Sequence, residues 1–117
     1  MEYVNITEIF LEYLKMNHAG KEKAVQSRYL ENKFYISARN VRNIVNTLRC
    51  DGKPICSDES GYYYASTEEE VMNSIRQLNS RIDKIAEAKN GLINSMSLLH
   101  DSRCQFKLKF WIVCEKG

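Results

Sequence analysis

The chain has little of what interrupts or staples a fold. Its 117 residues include one proline, five glycines, four cysteines, one tryptophan and two histidines. The cysteines, Cys50, Cys56, Cys104 and Cys114, form no CxxC pair, and His18 and His100 stand at no ligand-like spacing from them. Structural zinc needs such spacing, so no metal and no cofactor is expected. In a reducing compartment the cysteines are expected as free thiols. No glycine-rich phosphate loop occurs, and "GYYYAS" lacks the flanking glycine of a nucleophile elbow. No nucleophile and base fall at catalytic spacing either, so the chain is not expected to be an enzyme. No apolar run approaches the roughly 20 residues of a membrane span. "MEYVNITEIF" has no basic segment followed by an apolar one, so no secretion signal is read and the cytoplasm is the expected compartment.

Apolar residues make up 44% of the chain and charged residues 27%. That suffices for one modest core, hence one domain with an appended element. The net charge of +2 is too mild to announce a nucleic-acid binder, so the placement of charge decides. No acidic residue stands between Asn32 and Asp51. Positive charge is therefore concentrated on one stretch.

Three helices are predicted in the first half. Helix 1 spans Ile6 to Met16, with Asn5 as its cap and Glu8 three residues on. Ile6, Ile9, Phe10, Tyr13 and Leu14 form its apolar stripe. Asn17 and Gly20 stop it. Helix 2 is expected from Ala24 to Asn32, with Val25, Tyr29 and Leu30 facing inward. Helix 3 follows the cap Ser37 and runs from Ala38 to about Cys50. Its Val41, Ile44, Val45 and Leu48 keep the i, i+3, i+4, i+7 rule and face the core. The other side carries Arg39, Asn40, Arg42, Asn43, Asn46, Thr47 and Arg49. Asn is a poor helix former, so several on one exposed face have no folding rationale. Their rationale is recognition: Asn pairs bidentately with adenine and Arg with guanine in a groove that admits a helix. An ordinary solvated face is the bland alternative.

Lys53 to Ser57 and Gly61 to Ala65 then read as two short strands around the Asp58-Glu59-Ser60 loop. Pro54 suits a sheet edge. Three helices followed by a hairpin make a winged helix-turn-helix, over residues 1–66, with helix 3 aimed at the major groove. The acidic tip argues against a wing inserted deep into DNA, so Lys53, Ser57, Ser60 and Tyr62 are the wing candidates for phosphate contacts.

The second half begins with a cap at Ser66 or Thr67 and the acidic first turn Glu68-Glu69-Glu70. A 4-3 spacing follows: Val71, Ile75, Leu78, Ile82, Ile85, Lys89, Leu92, Met96 and Leu99. Residues 67–99 are thus expected as a long coiled-coil-like helix that dimerises, with Lys89 and Gly91 as its weak points. A helix folded back on its own domain is the alternative to a homodimer. In the tail, residues 100–117, Phe106, Leu108, Phe110 and Ile112 alternate with Lys107, Lys109 and Trp111. That predicts a strand over 106–113, which must pair with the wing, a second copy or a host protein. The fold class expected overall is α+β.

The stretch "VRNIVNTLRCDGKPICSDESGYYYASTEEEV" resembles the small winged-helix proteins of phages and prophages of Gram-positive bacteria. The matching positions are Val41, Arg42, Val45, Asn46, Leu48, Arg49, Gly52, Pro54, Ile55, Gly61, Tyr62, Tyr63 and Ala65. The resemblance implies a sequence-selective double-stranded DNA binder acting in transcription regulation or replication. It also implies a host-takeover context, in which such domains are reused to inhibit host nucleic-acid enzymes such as CRISPR nucleases. Under that alternative the protein is an interaction module, and the segment after Leu99 departs from the resemblance.

Overall fold

The computed structural model describes residues 5–99. The expected strand at 106–113, His100, Cys104 and Cys114 lie outside them. The described residues form an α+β fold with four α-helices and one two-stranded antiparallel sheet. The chain divides into two units, residues 1–77 and 78–117.

In the first unit, α1 (Ile6–Asn17) starts where the Asn5 side chain accepts from the Thr7 N–H at 2.8 Å. Its Phe10 and Leu14 are fully buried, while Ile6 and Ile9 lie half in solvent at the border of the stripe. A 3₁₀ turn (Lys21–Lys23) leads to α2 (Ser27–Phe34). Helix 2 therefore begins three residues later than its apolar pattern suggests. The reason is a competing set of backbone bonds: the Val25 N–H donates to the Tyr62 carbonyl and the Tyr62 N–H to the Val25 carbonyl, both at 2.8 Å. Val25 is buried as a bridge residue beside the sheet and not on a helix face. Tyr29, expected to face inward, is 52% exposed, and Leu30 alone of the α2 residues is fully buried.

The third helix, α3 (Ala38–Cys50), has the predicted bounds. Ser37 Oγ accepts from the Asn40 N–H at 3.1 Å and caps it. Val41, Ile44, Val45 and Leu48 all enter the core with Phe10, Leu14, Val25, Leu30 and Ile55. Burying each such side chain contributes about 1.5–3 kcal/mol, which outweighs the poor propensity of three Asn. Phe34 closes the cluster against the rings of Phe10 and Tyr13, at centroid distances of 5.4 and 5.6 Å.

Strand β1 (Ile55–Asp58) pairs with β2 (Gly61–Tyr64) in the register Cys56 to Tyr63 and Asp58 to Gly61. The hairpin is tighter than expected, because Asp58 pairs within the ladder and only Glu59 and Ser60 form the turn. Tyr63 is buried, while Tyr62 and Tyr64 pack partly against the core from the other face. Both sheet edges are covered. On β2, the Gly20 N–H donates to the Tyr64 carbonyl and the Tyr64 N–H to the His18 carbonyl, each at 2.8 Å, beside the Val25 bridge. On β1, the Arg49 Nε–H donates to the Ile55 carbonyl at 2.7 Å and the Ser57 N–H to Ser74 Oγ at 3.3 Å. Occupied edges leave little backbone for another strand to add to.

The last helix, α4 (Glu68–Ser95), starts at Thr67, whose Oγ1 accepts from the Glu70 N–H at 3.2 Å. The Glu70 carboxylate accepts from the Ser66 N–H at 2.7 Å and the Lys21 N–H at 3.0 Å. These donors hold its carboxyl below the usual carboxylate range. Ser74, one turn on, is buried against β1. The first turns of α4 thus belong to the first unit.

The second unit contains the rest of α4, which passes through Gly91 without ending, and a 3₁₀ turn (Met96–Leu99). Of the expected seam, the stretch to Leu92 lies on α4, while Met96 and Leu99 fall on that turn, where the 3.0-residue period breaks the heptad register. Ile82, Ile85 and Leu92 are each at least 60% exposed. No helix among the described residues is long and apolar enough to cross a membrane.

Candidate nucleic-acid interface

The buried face of α3 fixes where its other residues go. A helix turns about 100° per residue, so Arg39, Asn43, Asn46 and Cys50 point most directly away from the four core residues. Arg42 and Arg49 lie on one flank, Asn40 and Thr47 on the other. Arg39, Asn40, Arg42, Asn43, Asn46 and Thr47 are all exposed. Neither Arg39 nor Arg42 makes an ion pair among the described residues. Lys53 is exposed too, at the turn after α3, with its backbone N–H donating to the Leu48 carbonyl at 2.9 Å. The outward face of α3 thus carries two guanidinium groups with no ion pair among the described residues and three primary amides, while Lys53 lies past the end of the helix in a cleft it shares with Thr47, Asp51, Glu8 and Glu12.

The remaining predicted residues sit differently. Arg49 is half-buried, and its guanidinium donates to the Ile55 carbonyl and, at 3.2 Å, to Ser57 Oγ. Arg49 and Ser57 therefore tie α3 to the outer edge of β1. Tyr62 is half-buried, and both its backbone groups are taken by Val25. Helical phase explains this: the Arg49 flank faces the hairpin, a fact invisible until the hairpin is placed.

At the turn of the hairpin, Asp58 is drawn inward. One carboxylate oxygen accepts from the Ser60 N–H at 2.7 Å and the other lies 3.7 Å from Lys21 Nζ. Glu59 is the exposed acid of the turn. Gln26 Nε2 donates to the Ser60 carbonyl at 3.0 Å, which pins the tip to the start of α2.

Two further features bear on this surface. Exposed Cys50 shares the outward stripe with Arg39, Asn43 and Asn46. Tyr35, in the turn between α2 and α3, has φ 55° and ψ 48° and is 93% exposed. Its sequence signal is a large aromatic where a glycine or asparagine would be expected between two helices.

Elsewhere the polar groups are committed to structure. His18 Nδ1 lies 2.8 Å from the Lys23 carbonyl, which can only accept, so this nitrogen carries the proton. Its Nε2 faces the Tyr13 hydroxyl at 3.1 Å. Burial, then the neighbouring Tyr29, pushes the Tyr13 hydroxyl up to about 12. Burial raises the Cys56 thiol, which donates to the Glu70 carbonyl at 3.6 Å. Among the described residues no three His, Cys, Asp or Glu side chains gather as a metal site. No protein-family model, curated protein or solved structure matches the chain.

Proposed function

We propose that the protein is a winged-helix binder of double-stranded DNA, a phage or prophage transcription regulator or replication-associated protein working in the cytoplasm. The observation that carries this is the outward face of α3, rich in Arg and Asn, free of acids, and held on a helix whose other face is locked into the core. The order of three helices and a hairpin fits the winged variant of the helix-turn-helix. Arg39, Arg42 and Lys53 neutralise phosphates, while Asn40, Asn43, Asn46 and Arg39 read base edges. Arg49, Ser57 and Tyr62 hold the wing against α3. The exposed Ile82, Ile85 and Leu92 pair with the same helix of a second copy, and a homodimer presents two α3 helices to two half-sites.

A duplex titration at two salt concentrations tests this. Each neutralised phosphate contributes a slope of about −0.9 in log K against log salt. Arg39→Ala is expected to cost about 1–3 kcal/mol and relax sequence preference, whereas Lys53→Ala weakens binding to all duplexes alike. Salt-independent or absent binding rejects the reading and favours the protein-interaction module. A nuclease-resistant, stoichiometric protein partner would support that second reading.

A further inference from the structure

We propose that Tyr35 is a DNA-contacting residue, its hydroxyl donating to a backbone phosphate beside the N-terminus of α3. This rests on the DNA-binding reading and extends the surface beyond α3. Tyr35 is the only non-glycine residue with positive φ among the described residues. That region crowds the Cβ of an L-residue, so glycine or asparagine normally fills it. The Tyr35 side chain repays none of this strain to the fold. It is 93% exposed and makes no hydrogen bond, ring contact or cation contact among the described residues.

The backbone around it is nevertheless fixed. The N–H groups of Tyr35 and Ile36 both donate to the Glu31 carbonyl and close α2. Two residues later Ser37 caps α3. The backbone of Tyr35 is therefore fixed at the joint between the helix that follows the phosphate backbone and the helix that enters the groove. Its neighbours suit a polyanion. Arg28 and Asn32 precede it at helical spacing on α2, and Arg39 follows it on α3, all exposed. The left-handed backbone serves the end of α2; the exposed aromatic carried on it serves nothing in the described fold, and contact with a ligand accounts for that. Tyrosine is among the side chains that donate to phosphate oxygens.

The test uses the full chain, a labelled mixed-sequence duplex at low salt, and the variants Tyr35→Gly and Tyr35→Phe. Tyr35→Gly relieves the strain, so its unfolding midpoint should rise by about 4 °C. Its affinity for the duplex should fall roughly tenfold, the loss of one hydrogen bond to a charged group. Tyr35→Phe should keep the wild-type midpoint and lose affinity to the same extent. Wild-type affinity in both variants overturns the contact while leaving the DNA reading standing. Wild-type affinity in Tyr35→Phe alone overturns the phosphate hydrogen bond. A wild-type chain that does not bind the duplex at all removes the DNA reading and this inference with it.

Discussion

Two stretches of helix with equally regular apolar spacing meet opposite fates. In α3, Val41, Ile44, Val45 and Leu48 are all buried. In α4 beyond Gln77, Ile82, Ile85 and Leu92 stand in solvent within the single chain. Periodicity says which face of a helix is apolar. It does not say whether anything covers that face. The first unit supplies its own cover from α1, α2 and the hairpin. Among the described residues the second unit has only its helix and a 3₁₀ turn, and a lone helix of this kind is marginal in water without a partner for its stripe.

The sharpest way to break the first unit is at Gly61. Its φ is 125°, and a Cβ there would stand 2.2 Å from the Val25 carbonyl oxygen. Gly61→Ala should cost roughly 3 kcal/mol or more, because it strains the turn and expels the segment that covers β2. Urea denaturation measures this. Leu14→Ala and Ile82→Ala contrast the two units directly. Leu14 is fully buried, so its truncation should cost about 2–5 kcal/mol at every protein concentration. Truncating Ile82 should matter only where copies pair, so its effect on the unfolding midpoint should appear as concentration rises. An Ile82→Ala loss independent of concentration would refute the pairing.

Titration probes the first unit from both ends of the pH scale. Burial holds the hydroxyls of Tyr13 and Tyr63 up to about 12, against 10 in the unfolded chain. The unfolded state then binds fewer protons than the folded state between those values. The contribution of these two hydroxyls to stability is therefore fully present below pH 10 and lost as pH rises toward 12. Glu70 works in the acid direction: its lowered folded value gives stability above the unfolded 4.5 that fades as pH falls through the folded value. Thermal melts of wild type, Tyr63→Phe and Glu70→Gln across pH check both arms.

Arg49→Ala should cost about 1–2 kcal/mol of stability, since it strips donors from Ile55 and Ser57, whereas Arg39→Ala should leave the melting midpoint unchanged. Circular dichroism melts of the two variants side by side decide it. The smallest effect is expected at Gly91. A Cβ there meets nothing within 4 Å, so Gly91→Ala should stabilise α4 by about 1 kcal/mol. A loss instead would mean that something approaches the helix at that point.

Much of the first unit was legible in the sequence. Ser37, the four apolar residues and the acid-free run are enough to place α3 and its outward face. The hairpin followed from its turn residues and tyrosines. Val25 fits a helical stripe as well as a bridge, so spacing alone starts helix 2 three residues early. Only its bonds to Tyr62, 37 residues away, show which pattern won. Arg49 looks like the other arginines in the sequence for the same reason: a charge pattern does not reveal that one flank of the helix faces a strand.

The sequence by itself determined the periodic elements, their caps and the face each one keeps apolar. These depend on residues within a few positions of one another, through rotamer sterics and local hydrogen bonds. The tertiary structure alone decided which backbone groups were claimed from afar: the Val25 bridge, the Arg49 brace and the Glu70 anchor. It alone also set the left-handed Tyr35. The bridge, the brace and the anchor each turn on a partner that lies outside their own helix or turn, and local spacing carries no record of that.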